Sequence, residues 1–253
     1  MDKEIKRTFT EKWEKYFPGN ELPVVCYYSD ILDDVEYKDA PEKNNGLTCI
    51  FSQLATVRRG KARAFNKDNL GCFGAVDMLG FSDSRTDEEI KYSMDFLVKE
   101  EKFYSSEEQI IEFFTKYPSV PARGKYIVFK QWDLLTDIDQ PLVVSFFCKP
   151  DAIGGLHALA NYDSMTPHAV ISPFSSGCDS LVGFPMRELE SDNPKAVLGI
   201  FDPSARICLK PDLMSFSIPW PKFTGMMENM DKCFLTTDLW QSICRRMKKS
   251  KQG

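Results

Sequence analysis

Three cysteines in this 253-residue chain stand where a polar, glycine-bearing loop runs into an apolar segment of helical period. The longest such stretch is His168-Ala-Val-Ile-Ser-Pro-Phe-Ser-Ser-Gly-Cys178-Asp-Ser-Leu-Val-Gly-Phe184. Gly177 permits a sharp turn. Ser175, Ser176 and Asp179 are residue types that cap helices and close turns. Leu181, Phe184, Met186 and Leu189 then recur at helical spacing, which places Cys178 at the joint. Asn66-Lys-Asp-Asn-Leu-Gly-Cys72-Phe-Gly-Ala repeats the pattern, with Gly71 and Gly74 keeping the backbone beside Cys72 bare for a ligand or another chain segment. Cys49 falls in the first turns of a third such segment, which Gly60 ends. The first N–H groups of a helix lack partners and carry the positive end of its dipole, so a cysteine there tends toward thiolate. Thiolate is the form that attacks electrophiles and binds metals. The alternative at each position is a compact apolar residue packed in a tight turn.

Three chemistries follow. The first is a metal or iron–sulfur site on Cys49, Cys72 and Cys178, with Cys208 as a fourth ligand; thiolates hold such clusters and helix N–H groups tune them. No Cys-x-x-Cys pair occurs in the chain, so the compact ferredoxin, zinc-ribbon and thioredoxin spacings are excluded. The second is an enzyme with Cys178 as nucleophile and His168 as its base, Arg187 or Arg206 holding an anionic substrate. The third is a non-enzymatic protein that binds an anionic small molecule on the backbone N–H groups near Gly71 and Gly177 with Arg206. Neither loop matches the P-loop or the dinucleotide fingerprint. Asp202-Pro-Ser-Ala-Arg206 reads as a ligand loop or as a strand-ending turn with an internal Asp–Arg pair.

The elements that must position these residues are legible as periodicities. Ile5, Phe9, Trp13, Tyr16 and Phe17 make one face of a helix over 3–17. Strands are expected over 22–28, 61–65, 126–132, 142–147, 195–201 and 214–220, the fourth almost wholly apolar and so central. Helices are expected over 47–57, after Cys72, from a Ser105-Ser-Glu-Glu108 capping box to Tyr117, from Lys149 to Leu159, after Cys178, from Pro221 through Met230, and after Thr236. Residues 29–46 form a surface loop. No fixed-period repeat or low-complexity linker divides the chain. The expectation is a single α+β domain over 1–253, with a mixed sheet of five or six strands packed with helices.

With 43% hydrophobic and 27% charged residues, the composition is that of an ordinary globular protein with a sizeable core. The net charge of −5 argues against nucleic acid as a partner. The basic tail, Arg245 to Lys251, closes a helix, where cations favour the dipole. No signal peptide opens the chain and no apolar run is long enough to span a bilayer, so a cytoplasmic protein with no membrane partner is expected. Its eight cysteines are then expected to be reduced. Only two histidines are present, which limits histidine-based catalysis and metal binding.

Three stretches resemble the family called domain of unknown function 169. They are Cys49 to Gly60; Gly71-Cys72-Phe-Gly with Leu79-Gly80; and Ser176-Gly-Cys178 through Leu189, followed by Ala196-Val-Leu-Gly-Ile-Phe-Asp-Pro-Ser-Ala-Arg206. The resemblance implies one family-wide domain and draws attention to Cys49, Cys72 and Cys178. It transfers no catalytic residue.

Overall fold

The structure, a computed structural model, describes residues 1–43, 46–84 and 86–250. Asn44 and Asn45 of the expected surface loop, and Lys251 of the basic tail, lie outside the described residues. In chain order the elements are α1 (Lys3–Tyr16), β1 (Val24–Ser29), α2 (Ile50–Val57), β2 (Arg63–Phe65), α3 (Phe73–Met78), α4 (Asp87–Asp95), a π-helical turn (Phe96–Glu100) and α5 (Glu107–Lys116). Then come β3 (Tyr126–Gln131), β4 (Val143–Cys148), α6 (Pro150–Asn161), β5 (Val170–Ile171), a second π-helical turn (Asp179–Gly183) running into α7 (Phe184–Glu188), and β6 (Ala196–Gly199). α8 (Pro203–Arg206), β7 (Met214–Pro219), α9 (Trp220–Asn229) and α10 (Asp238–Ser250) complete the chain.

The strands form one mixed sheet in the order β2-β3-β1-β4-β7-β6-β5. Every neighbouring pair is antiparallel except β5–β6. The α+β class and the mixed sheet are as expected, with seven strands instead of five or six. The added strand is β5, two residues inside the Cys178 stretch, too short to show an alternating pattern.

Side-chain alternation gives the central strands two buried faces. On β1, Val25 and Tyr27 join one core and Val24 and Cys26 the other; on β4, Val144 and Phe146 oppose Val143 and Phe147. The first core is covered by α1, α6, α9 and α10, where Phe9, Trp13 and Phe146 pack with Phe223. The second is covered by α2, α3, α7 and α8, and this face carries Cys49, Cys72, Cys178 and Cys208. The sheet is therefore sandwiched between helical layers, one closing the fold and the other building the cysteine-bearing side.

Between α3 and β3 the chain leaves the sheet on that second side. Gly80 marks the exit with a φ of 83°, a conformation open to glycine at no steric cost. Its carbonyl accepts the N–H of Ala122 at 2.9 Å, so the excursion carrying α4, the first π-turn and α5 is closed at its neck. A Cβ on Gly80 would lie 2.4 Å from the Ala122 nitrogen. The sequence reading did not anticipate α4, although Thr86 and Glu89 form a reciprocal capping box at its start. For α5 the cap is Ser106, which accepts the Gln109 N–H, and not Ser105 as the capping-box reading had it.

Candidate functional site

Local chemistry sets each cysteine. Cys49 is the residue before α2 and Cys72 the residue before α3. Cys178 lies in the first turn of its helix, behind Ser176, whose hydroxyl and carbonyl both accept the Asp179 N–H. The following π-turn sits directly on the sheet because β6 and β7 present the small residues Gly199 and Ser215 there. A Cβ on Gly199 would lie 2.4 Å from Ser180, while Ser180 donates to the Gly177 carbonyl and accepts the Ile200 N–H.

Cys49, Cys72 and Cys178 line one pocket of about 660 Å³ between the sheet-side helices and the α4–α5 excursion. Cys208 is half-buried on the same face and is not among the residues lining the pocket. Three of the four cysteines expected to act together thus line the pocket, and Cys208 lies outside its lining. Among the described residues, however, no group of three or more His, Cys, Asp or Glu side chains is placed to hold a metal ion. Burial pushes the Cys178 thiol well above its ordinary value, and neighbouring Cys49, Cys72, Asp202 and Asp179 add to the effect. Burial also raises Cys72, opposed by the N–H groups of Ala75 and Gly74. His168 is exposed at the entry to β5, outside the pocket lining.

The remaining predicted site residues are occupied within the protein. Gly71 packs against Thr48, whose hydroxyl donates to its carbonyl at 3.0 Å; a Cβ there would be 2.6 Å from the Thr48 Cβ. The bare backbone at Gly71 therefore serves another chain segment. Gly177 donates its N–H to Asp202 Oδ2 at 2.8 Å, and a Cβ there would meet Ala205 and Phe51. Asp202 Oδ1 caps α8 through the Ser204 and Ala205 N–H groups. Arg206 donates to the carbonyls of Pro211 and Leu213, which pins the loop after α8. Arg187 donates to Asp179 Oδ1 at 2.7 Å and to the carbonyls of Tyr117 and Pro118, tying the second π-turn to the end of α5.

The pocket walls are mainly apolar and aromatic, with Phe73, Phe96, Phe103, Tyr104, Phe114 and Phe174 among them. Phe103 and Tyr104 meet the Phe174 ring, so the excursion rests on the loop that leads to Cys178. The charged lining residues are Asp77, Glu101 and Asp202, with no Lys, Arg or His among the described lining residues. Burial, and next the Asp202 charge, push the Glu101 carboxyl above the ordinary value, with neighbouring Ser204 opposing. Gly74 faces the interior, where a Cβ would be in ordinary contact with Cys72 Sγ at 3.7 Å and Ser176 Cβ at 4.0 Å.

A family model, described as an uncharacterised ArCR family and named domain of unknown function 169, matches residues 19–229. The chain belongs to the domain-of-unknown-function-169 family. No curated protein and no solved structure matches it. The match takes in every cysteine and carboxylate of the pocket, and omits all of α1 and of α10, which cover the opposite face of the sheet. Among the described residues of this domain-of-unknown-function-169 chain, no helix is long and apolar enough to cross a membrane. Sequence reasoning missed Glu101 and the aromatic residues of the excursion; the Thr86–Glu89 capping box was the available signal for a helix there.

Proposed function

We propose that this protein binds a small organic molecule with an apolar, ring-bearing body and a cationic or hydrogen-donating end. The observation that carries the proposal is the pocket itself. Its volume of about 660 Å³ suits a small organic ligand. Its aromatic walls favour rings, and its charged lining residues are all carboxylates. The anionic ligand that the Gly71 and Gly177 loops first suggested is less favoured, because the Gly177 N–H and the Arg206 guanidinium are spent inside the protein. Glu101 is the group placed to select the opposite sign.

The test is a fluorescence titration with Nile red, a neutral apolar dye, beside the anionic dye anilinonaphthalene sulfonate. Nile red is expected to saturate at one dye per chain and the anionic dye to bind more weakly. Gly74→Leu, which extends a side chain between Cys72 and Ser176, should weaken Nile red by about tenfold or more. Equal dye binding in Gly74→Leu and wild type would remove the proposal.

A metal or iron–sulfur cluster is the second reading, supported by Cys49, Cys72 and Cys178 lining one pocket. Stoichiometric iron and sulfide in anaerobically purified protein, lost in Cys72→Ser, would put it first.

A further inference from the structure

The two helices of the excursion carry apolar stripes that meet little protein. Ile90 and Met94 stand four residues apart on α4, and Leu97 follows three later in the first π-turn; Ile111 and Phe114 stand three apart on α5. All five line the chamber. A surface helix ordinarily packs such a stripe against the core. The buried residues of these two helices are instead Ser93 and Ile110. Asp87, Glu88 and Lys91 of α4, with Glu108 and Glu112 of α5, are exposed. The polar faces are thus turned to water and the apolar stripes to a cavity.

The stripes run beyond the cover that the body of the protein gives them. Ile90 is 43% exposed and Ile111 54% exposed, although both line the chamber. Phe174, 47% exposed, also lines it, from the loop before Cys178. A single exposed apolar side chain needs no explanation. Large apolar side chains from three elements that are chamber wall and outer surface at once mark the edge of an opening. From Ile90 to Leu97 the stripe extends about 10 Å along the helix, and its side chains are aliphatic. Its shape suits a chain, whereas the aromatic walls suit a ring.

We propose that the chamber's ligand is an amphiphile whose ring packs on the aromatic walls and whose aliphatic chain lies along the α4 and α5 stripes to the opening at Ile90 and Ile111. This rests on the chamber being the binding site, and adds the chain. Covering the stripes removes apolar surface from water on both ligand and protein. The chain then stands in for the core that α4 and α5 lack, so that binding also orders the excursion.

The experiment is isothermal titration calorimetry of the full chain with two probes. Benzyltrimethylammonium is a ring with a cationic end; benzyldimethyloctylammonium is the same head with an octyl chain, used below the concentration at which it aggregates. The octyl probe is expected to bind at one per chain and about a hundredfold tighter, at about threefold for each methylene that is buried. In the Ile90→Ser, Ile111→Ser double variant that gain should fall by about tenfold, with benzyltrimethylammonium binding unchanged. Chain contact elsewhere on the surface would leave the gain intact. Amide hydrogen exchange in α4 and α5 should slow with the octyl probe and much less with the short one, which locates the chain even if the double variant fails to fold. Equal affinities for the two probes in wild type, a gain that the folded double variant keeps, or exchange in α4 and α5 that ignores the octyl chain would overturn the proposal. Each of these results leaves the chamber reading standing, because that reading falls only if Gly74→Leu binds Nile red as wild type does.

Discussion

Glu101 illustrates what a residue gains only from folding. It stands in a stretch whose sequence offers no chemical motif, and it acquires its role when the excursion brings it to Ser204 and Asp202. Because its carboxyl titrates above the ordinary range, a cationic dye is expected to bind more tightly as pH rises through that range. Glu101→Gln should flatten the dependence and weaken neutral-pH binding by about 1 kcal/mol; titrations between about pH 4 and pH 7 measure both. A binding curve that is flat in wild type would deny Glu101 this role. The cysteines were legible in sequence, since Gly-Cys joints before apolar periods mark helix starts. That three of them line one pocket was not, because Cys49, Cys72 and Cys178 are far apart in the chain and no spacing encodes their approach. Gly177 and Gly71 were legible as bare backbone, but only packing shows that Asp202 and Thr48 already fill those places.

At the scale of elements, Arg187 joins two pieces that the sequence leaves unrelated, the second π-turn and the end of α5. Asp179 is fully buried beneath it, and its Oδ2 has no hydrogen-bond partner among the described residues. Burial, the largest influence, raises its carboxyl above the ordinary 3.8, with Arg187 opposing. A raised native value means that the folded state holds the proton more tightly than the unfolded chain. The associated stability is therefore fully present below the unfolded value and is lost as pH rises through the native one. Arg187→Met leaves a buried charge unpaired and is expected to cost about 3–5 kcal/mol at neutral pH. The loss should shrink on acidification, as Asp179 takes up a proton. Urea unfolding of both proteins at about pH 7 and about pH 5 checks this, and an equal loss at the two would contradict it. The strands of the sheet were readable because five of them alternate or run apolar over several residues. β5 and α8 were not, because two residues and four residues are too short to display a period.

At the scale of the whole molecule, order should be unequal between the sheet and the excursion. The central strands are buried on both faces, whereas α4 has one buried residue, Ser93, and α5 only Ile110. Amide hydrogen exchange is expected to be faster in α4 and α5 than in β1, β3, β4 and β7, by the margin that separates local opening from global unfolding. Uniform protection would show instead that the two open together. Gly80→Ala should widen the gap. It forces a left-handed backbone on a residue with a Cβ and crowds Ala122, at a cost of more than about 1 kcal/mol.

The hydrogen bond between Gly80 and Ala122 also makes the protein editable. Two points of backbone that close can be joined by a turn of about four residues, leaving the sheet connectivity intact. Such a shortened chain would lose the aromatic roof while retaining α2, α3, α8 and the cysteines of the pocket. It would keep the sheet and its cysteine-bearing layer without a binding chamber, so that ligand binding could be removed from the fold by a single splice.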